Sequence, residues 1–364
     1  MMENKKLFYG ILTIAVLVIA GIGLLAYQNK FIATEEITNF EECANAGYPI
    51  FESYPRQCKS PDGKNFFEKV VPPTTPPPTP ISTSSGTVVK KSEAACGSGC
   101  NLPERIIDLE ERGQGSKGSI FFAIGRFGTD YYSDELPAYA RSQGFQTYRI
   151  KWVGEYGWGT GTGGAGFRKA MCGFSDVVKW VKDKGIAANS DAMCATGNSG
   201  GSFQISYGLS DYGVGDYLDM VILTGGPVGR WDAGCFDSSS SGYFPTNLRG
   251  RGIIDYMFGY AQDINQRTGP CVRGDGSNPD VVRRFQDESL VSPAINIMYS
   301  FPSTKVNFVQ TVEDSSSAYP LAKFYYDAIS SQKSWYDIPG TEHEVYRMVG
   351  GSTKMKELFV NECR

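Results

Sequence analysis

The longest uninterrupted hydrophobic run lies near the start of the chain, from Leu7 to Tyr27, directly after Lys5 and Lys6. Its 21 uncharged residues are enough to cross a bilayer as a helix. Lysines precede the run and four glutamates follow it between residues 35 and 42, so the positive-inside rule keeps the N-terminus in the cytoplasm. A cleaved signal peptide is the alternative, but no small-residue cleavage site follows closely. We expect residues 1–30 to be a cytoplasmic tip and a transmembrane anchor in the cell membrane, with the remainder extracytoplasmic.

From residue 119 onwards, short apolar stretches alternate with segments that are apolar at helical spacing. Strands are predicted at 119–124, 146–152, 191–196, 218–223, 306–311 and 335–338, and helices at 133–143, 167–184, 202–209 and 319–330. This alternation is typical of an α/β fold, with a doubly wound and mostly parallel sheet covered by helices on both faces. Active sites of such sheets form at the carboxyl ends of the strands.

One interval, residues 224–305, breaks the alternation. An unstructured loop of that length is implausible within a compact domain. Helices are predicted near 253–265 and 281–290, and the interval also contains Cys235 and Cys271. We therefore predict an inserted cap at about 228–304, with a local bridge between these two cysteines.

Two further segments precede the alternating pattern. Residues 38–69 contain Cys43, Cys58 and a Pro-Asp-Gly turn signal, and they are too few to build a core without a disulfide. They resemble a short two-cysteine module near the N-termini of exported microbial proteins, which implies no known chemistry, and we interpret them as a stapled spacer. Residues 70–92 are rich in Pro, Thr and Ser, which predicts a semi-rigid linker. The alternating domain is predicted at 93–364.

Composition narrows the classes of partner. The net charge of −4 and the absence of long basic runs argue against a nucleic-acid partner.

Nine cysteines suit an exported, oxidised chain, and their odd number leaves at least one without an intrachain partner. One histidine and no paired C-x-x-C motifs leave little for a metal site, and we expect neither a metal nor a cofactor. The pairing of five cysteines is not assigned by the sequence: Cys96, Cys100, Cys172, Cys194 and Cys363.

The pattern Gly197-Asn-Ser-Gly-Gly201 fits G-x-S-x-G. In a glycine-rich chain this pattern arises readily by chance, so its context decides its meaning. Here an apolar strand precedes it and a helix follows it, as a nucleophile elbow requires. The glycines permit a sharp turn that exposes the Ser199 hydroxyl, and the backbone N–H of Gly200 can face an oxyanion. An ordinary glycine-rich turn between a strand and a helix is the alternative.

A base and an acid follow in the chain. His343 is the only histidine, so a serine hydrolase of this sequence must use it as the base. Asp314 is the first aspartate after the strand 306–311 and is our candidate for the acid that orients the histidine. Its alternative role is to cap the next helix, and Glu313 is the neighbouring competitor.

With these three residues in this order, the domain 93–364 resembles an α/β-hydrolase. The elbow serine, the aspartate after a later strand and the late histidine match that superfamily's triad in kind and in order. The resemblance implies acyl transfer through a serine ester, with water as the usual acceptor. One departure is the missing His-Gly at the end of the third core strand, where this chain has Ile124-Gly-Arg-Phe-Gly128. For the second oxyanion donor we favour the Phe127 N–H, with Arg126 next.

The sequence contains no motif that specifies a substrate, and only candidate pocket residues are named. The glycine-rich loop after the second predicted strand should lie on the active-site face, where Tyr156 and Trp158 are candidates for lining a substrate pocket. A loop without a binding role is the alternative. Arg126, Arg230 and Arg249 are candidates to bind a substrate carboxylate, although surface arginines are usually only solvated.

Three functions remain open on the sequence. The first is a membrane-anchored extracytoplasmic serine hydrolase, acting on small or polymeric carboxylic esters through Ser199, Asp314 and His343. The second is a peptidase or amidase on the same fold, which a triad alone does not distinguish from an esterase. The third is a tethered domain that binds a partner without catalysis, which the missing His-Gly favours.

Overall fold

A computed structural model describes most of the chain beyond residue 36. The described residues are 37–46, 48, 50–51, 57–67, 87–91, 107–113, 115–160, 163–183, 192–237, 248–292, 297–314, 316 and 318–364. The predicted anchor at 1–30 and most of the predicted linker lie outside them. No helix within these ranges is long and apolar enough to cross a membrane. The described residues fall into two compact units, one before residue 82 and one after it, and each is described by itself.

The first unit is a small disulfide-bonded fold. It contains α1 (Phe40–Asn45) and a three-stranded antiparallel sheet of β1 (Ile50–Phe51), β2 (Gln57–Lys59) and β3 (Asn65–Phe67). The Asn39 side chain caps the helix by accepting the Glu42 N–H at 2.9 Å. Cys43 and Cys58 are fully buried and bonded, as predicted. With Phe40 they form the whole buried core of the described part of this unit, so the disulfide replaces a larger core.

The second unit alternates strands and helices. Its elements in chain order are β4 (Thr87–Lys91), β5 (Ile107–Arg112), β6 (Gly118–Ala123), α2 (Glu135–Ser142), β7 (Phe145–Trp152), α3 (Gly166–Asp183), β8 (Met193–Asn198), α4 (Gly200–Tyr212), β9 (Met220–Thr224), α5 (Trp231–Phe236), α6 (Leu248–Met257), α7 (Pro270–Arg273), α8 (Pro279–Asp287), β10 (Lys305–Thr311), α9 (Ala318–Ala328), β11 (Lys333–Ile338) and α10 (Val349–Glu362). Every predicted strand and helix of the alternating pattern is present, within a few residues at each end.

Eight strands form one sheet in the order β11-β10-β9-β8-β6-β7-β5-β4. All neighbouring pairs from β7 to β11 are parallel, whereas β5 and β4 add antiparallel strands at one edge. The predicted doubly wound, mostly parallel sheet is therefore confirmed. Its register pairs Ala123 with Gly197 and Asn198 with Thr224, so the carboxyl ends of β6, β8 and β9 lie side by side.

Outside the cap, three elements of the second unit were not predicted. Strand β4 lies within the segment predicted as linker, so the sheet begins before residue 93. Strand β5 reads IDLEER and buries only part of its length; its Glu110 forms a buried ion pair with Arg149 of β7. Helix α10 begins at Val349-Gly-Gly, residues with low helix propensity. Each of these elements is stabilised by its neighbours in the fold rather than by its own local pattern.

Helices cover both faces of the sheet. One face packs on α3, α4 and the 224–305 interval, and the other on α2 and α10. Phe359 of α10 lies edge-on to Phe122 of β6, with ring centroids 5.8 Å apart. Beside this contact, a disulfide joins Cys194 of β8 to Cys363, a pairing that the sequence left unassigned. The C-terminal helix is thereby bonded to the strand that leads into the G-x-S-x-G turn.

Candidate active site

The G-x-S-x-G motif forms a strained turn between β8 and α4. Ser199 adopts φ 51° and ψ −118°, a conformation that L-residues rarely occupy. A side chain on Gly197 would overlap the Gly201 backbone, and one on Gly201 would overlap the Ala123 carbonyl. Small residues are therefore required on both sides of the serine, which is the geometry of a nucleophile elbow.

The elbow fixes the Ser199 backbone and leaves its hydroxyl accessible. The Ser199 N–H donates to the Thr224 carbonyl at 2.8 Å, and its carbonyl accepts from the Ser202 hydroxyl at 2.7 Å. A Cβ on Gly125 would lie 3.1 Å from the Ser199 Cβ, so the end of β6 packs against the serine. Ser199 lines a cavity together with His343, the pair of residues that the sequence predicts as nucleophile and base.

The structure brings Asp314 and His343 into direct contact. The His343 Nδ1 lies 2.7 Å from Asp314 Oδ2, and the aspartate side chain is only 1% exposed. Burial by itself would raise the pKa of Asp314, but hydrogen bonds from His343 and Ser316 and the charge of His343 outweigh it, so the pKa is lowered. A carboxylate there keeps Nδ1 protonated and leaves Nε2 as the acceptor nitrogen of the ring. The predicted role of Asp314 fits this contact.

Ser316 belongs to the same arrangement, although the sequence analysis did not identify it. Its hydroxyl donates to Asp314 Oδ1 at 2.7 Å and lies 2.8 Å from His343 Nδ1, while its backbone N–H donates to Asp314 Oδ1 at 2.8 Å. The side chain also lines the cavity. An aspartate followed two residues later by a serine is a common turn pattern, and it carries no signal that the serine reaches a histidine far along the chain.

The histidine ring is confined by the backbone at the end of β9. Gly225 has φ +56°, and a Cβ there would lie 2.8 Å from the His343 carbonyl and 3.1 Å from its Cε1. On its other side, Gly225 approaches Asn198, whose Oδ1 accepts from the Thr224 hydroxyl at 2.8 Å. The ends of β8 and β9 thus leave room for the imidazole only because residue 225 has no side chain.

The residue beside Gly200 is Arg126 rather than Phe127. A side chain on Gly200 would overlap the Arg126 carbonyl and lie 3.2 Å from the Arg126 nitrogen. Arg126 has φ 52°, and it and Ser199 are the two non-glycine residues with positive φ in the described chain. Phe127 is buried, packs on the Trp158 ring at 4.9 Å and is absent from the cavity wall. Residue 126, the second candidate from the sequence, therefore packs against the elbow, and the choice of the second oxyanion donor stays a prediction.

The cavity next to Ser199 has a volume of about 240 Å³. Its walls are mostly apolar and aromatic, and they are formed by Arg126, Trp158, Phe167, Ser199, Gly200, Phe203, Gly225, Val228, Trp231, Gly250, Ile253, Ile254, Ser316, Ala318 and His343. Trp158, a candidate from the sequence, lies on this wall, and its Nε1 donates to the Arg126 carbonyl at 3.0 Å. Tyr156 does not, because it packs between Phe127 and Tyr256.

The other two candidate arginines differ from Arg126. Arg230 forms an ion pair with the neighbouring Asp232, so its charge is already balanced. The side chain of Arg249 lies outside the described part of the structure. Within the described ranges, no three His, Cys, Asp or Glu side chains cluster as a metal site would require.

Comparison with known proteins identifies the fold. No protein-family model matches the sequence, and no curated protein matches it significantly. Among solved structures, the uncomplexed acylaminoacyl peptidase of Pyrococcus horikoshii is similar with a TM-score of 0.50 at 13% identity, over 78% of this chain and 42% of that chain. The chain has an α/β-hydrolase fold. The chain covers 42% of the length of that peptidase, and the likeness at 13% identity shows the fold alone.

Two further structures are more distant matches. A dienelactone hydrolase from Anabaena variabilis aligns at 11% identity with a TM-score of 0.42, over 76% of this chain and 96% of that chain. An esterase from Pyrococcus furiosus aligns at 11% identity with a TM-score of 0.44, over 77% of this chain and 93% of that chain.

The interval inserted in this α/β-hydrolase fold builds one side of the cavity. Helices α5 to α8 lie between β9 and β10, and the predicted Cys235–Cys271 bridge is present. The Trp231 ring stacks on Phe167 of α3 with centroids 4.2 Å apart. Its Nε1 donates to the Tyr207 hydroxyl at 2.8 Å, and that hydroxyl donates to the Glu288 carbonyl at 2.6 Å. The cap therefore contacts the helices of the sheet through both stacking and hydrogen bonds.

A buried charge cluster lies beneath this wall. Arg168 of α3 donates from Nε to the Asp287 carbonyl at 2.9 Å, and its backbone N–H donates to the Glu288 carboxylate at 2.9 Å. Its guanidinium also pairs with Asp211 of α4. Burial raises the pKa of Asp211 to about 6, against the charge and hydrogen bond of Arg168. Burial likewise raises the pKa of Glu288, and the backbone N–H and the charge of Arg168 oppose this shift only in part.

This cluster predicts a pH dependence of stability. Since folding raises the pKa of Asp211 from 3.8 to about 6, the folded state holds the extra proton within that window, and the free energy of unfolding falls as the pH rises. Between pH 4.5 and 7, we expect the free energy of unfolding to fall by about 2 kcal/mol less in Asp211→Asn than in wild type. Urea unfolding followed by tryptophan fluorescence measures it. Asp216→Asn, at an exposed position of the same region, is the control, and equal pH profiles for Asp211→Asn and wild type would contradict the assignment.

Proposed function

We propose that this chain is a serine hydrolase that cleaves carboxylic esters through Ser199, His343 and Asp314. The observation that carries the proposal is the 2.7 Å contact between His343 Nδ1 and the buried Asp314, on the same cavity as the strained elbow serine. A histidine oriented by a carboxylate beside an exposed serine is the arrangement that activates a hydroxyl nucleophile.

In the proposed reaction, His343 Nε2 accepts the Ser199 proton as Ser199 Oγ forms a bond to the ester carbonyl carbon. Asp314 stabilises the imidazolium that results. The backbone N–H groups of Gly200 and Arg126 donate to the tetrahedral oxyanion. The alcohol then leaves with the proton from the imidazolium, and a serine ester remains. Water repeats the sequence with His343 as base, which releases the acid and restores the serine.

The proposed activity predicts covalent labelling by a fluorophosphonate, which phosphonylates an activated serine and releases fluoride. We expect wild-type chain to be labelled and Ser199→Ala to be inert. His343→Gln should slow labelling by at least about a thousandfold, because the base and nucleophile act as a unit. Ser277→Ala, at an exposed serine of the cap, is the matched control and should label like wild type. Label retained by Ser199→Ala would exclude this nucleophile.

The hydrogen bonds of Ser316 predict a positioning role. Its hydroxyl holds Asp314, whose charge matters once the imidazolium forms in the transition state, so its loss should lower kcat with little change in KM. We expect Ser316→Ala to reduce kcat about tenfold, the effect of one hydrogen bond to a charged group, and Ser316→Thr to restore most of it. Ester hydrolysis at saturating substrate measures the change. An unchanged kcat, or a loss of thermal stability alone, would contradict the role.

We also propose that residues 1–30 anchor the enzyme in the cell membrane with the hydrolase unit extracytoplasmic. The support is the sequence: lysines before an apolar run of spanning length. In cells that express the full chain, the labelled protein should stay with membranes in high salt and dissolve in detergent. A fluorophosphonate that does not cross membranes should label the protein on intact cells that have no outer membrane. A chain without residues 1–30 is the control, and labelled full-length protein in the soluble fraction would exclude the anchor.

A further inference from the structure

Arg126 is the one permanently charged side chain on the described cavity wall. It is exposed, and it forms no ion pair with any described residue. The remaining described wall residues include no carboxylate. By contrast, other arginines near the cavity are balanced: Arg230 pairs with Asp232, and Arg168 pairs with Asp211. The wall of this mostly apolar cavity therefore carries one positive charge without an ion-pair partner among the described residues, on the residue whose backbone packs against Gly200.

The backbone of Arg126 makes the presence of its side chain informative. A residue other than glycine at φ 52° is strained. A glycine would supply the same backbone N–H without that strain. The side chain is also not explained by packing, because it is exposed. An arginine at this position is therefore best explained by a use for its guanidinium.

We propose that Arg126 binds a carboxylate of the substrate, so that the preferred ester carries one negative charge close to the carbonyl that Ser199 attacks. This inference rests on the proposed esterase function and names its substrate class. The planar guanidinium matches the two oxygens of a carboxylate. A single cation on the wall suits one negative charge, whereas a doubly charged phosphate would call for more. The aromatic residues of the cap and α3 would enclose the apolar remainder of the substrate.

A matched pair of esters tests the proposal. Mono-4-nitrophenyl glutarate carries a terminal carboxylate, and its methyl ester has the same acyl chain without the charge. We expect wild type to prefer the anionic ester, and Arg126→Gln to lower the ratio of the two kcat/KM values at least about tenfold. Effects of the substitution on the backbone N–H act on both esters and cancel in the ratio. Arg126→Lys should keep part of the preference, and added salt should weaken it.

A second variant distinguishes loss of the guanidinium from misfolding of the protein. Arg126→Gly relieves the strained φ, so it should unfold at no lower temperature than wild type while losing the preference. A ratio that stays at the wild-type value in both Arg126→Gln and Arg126→Gly would overturn the assignment, even with hydrolysis intact.

Binding separates this inference from the proposed function. In Ser199→Ala, quenching of Trp158 and Trp231, which line the cavity, reports binding of each ester without hydrolysis. We expect the anionic ester to bind more tightly, and Arg126→Gln to reduce this preference at least about tenfold. If wild type cleaves neither ester but the binding preference holds, the esterase proposal fails and the carboxylate site stands. Absence of a preference in both assays would overturn the carboxylate site.

Discussion

The close backbone packing between the elbow and the end of β6 is the constraint on which the site depends. Gly201 lies against Ala123, Gly200 against Arg126, and Gly125 against Ser199. Gly200 and Gly201 have no room for a side chain and Gly125 has little. The two non-glycine residues with positive φ in the described chain, Ser199 and Arg126, lie on either side of this contact. Strained backbone of this kind costs on the order of 1–3 kcal/mol per residue and persists only where surrounding structure fixes it. Here the parallel strands on both sides provide that structure.

Asp314 and His343, the proposed acid and base, follow the two strands at one edge of the sheet. Asp314 follows β10 and His343 follows β11, so parallel pairing from β8 to β11 places the ends of these strands at one edge. Asp314 is nearly inaccessible to solvent, and its hydrogen bonds from His343 and Ser316 compensate its burial. Gly225 then leaves the space in which the imidazole ring lies.

The cap is held on the sheet helices by side-chain contacts rather than by close backbone packing. Its contact with the sheet helices combines the stacked Trp231 and Phe167 rings with the buried hydrogen bonds of Arg168. Arg168 is largely removed from solvent and pairs with Asp211, and a salt bridge of this kind costs desolvation that offsets much of its attraction. The position of this cavity wall therefore depends on where the cap attaches, and Arg168 links that attachment to the sheet helices by bonding the Asp287 carbonyl and Asp211.

The sequence by itself determined the alternating strands and helices, the elbow with its serine, the inserted cap and two local disulfides, because each depends on short-range patterns or nearby partners. It also predicted Asp314 and His343 as acid and base by their order along the chain, and the fold places these two side chains in contact. The tertiary structure alone decided that Arg126 rather than Phe127 meets the elbow, that Ser316 contacts His343 and that Cys194 bonds Cys363. Edge strands β4 and β5 and helix α10 were likewise fixed only in the fold. The physical reason is common to all: these features join residues far apart in the chain, and strand order and packing, rather than local hydrophobic pattern, bring such residues within a few ångströms.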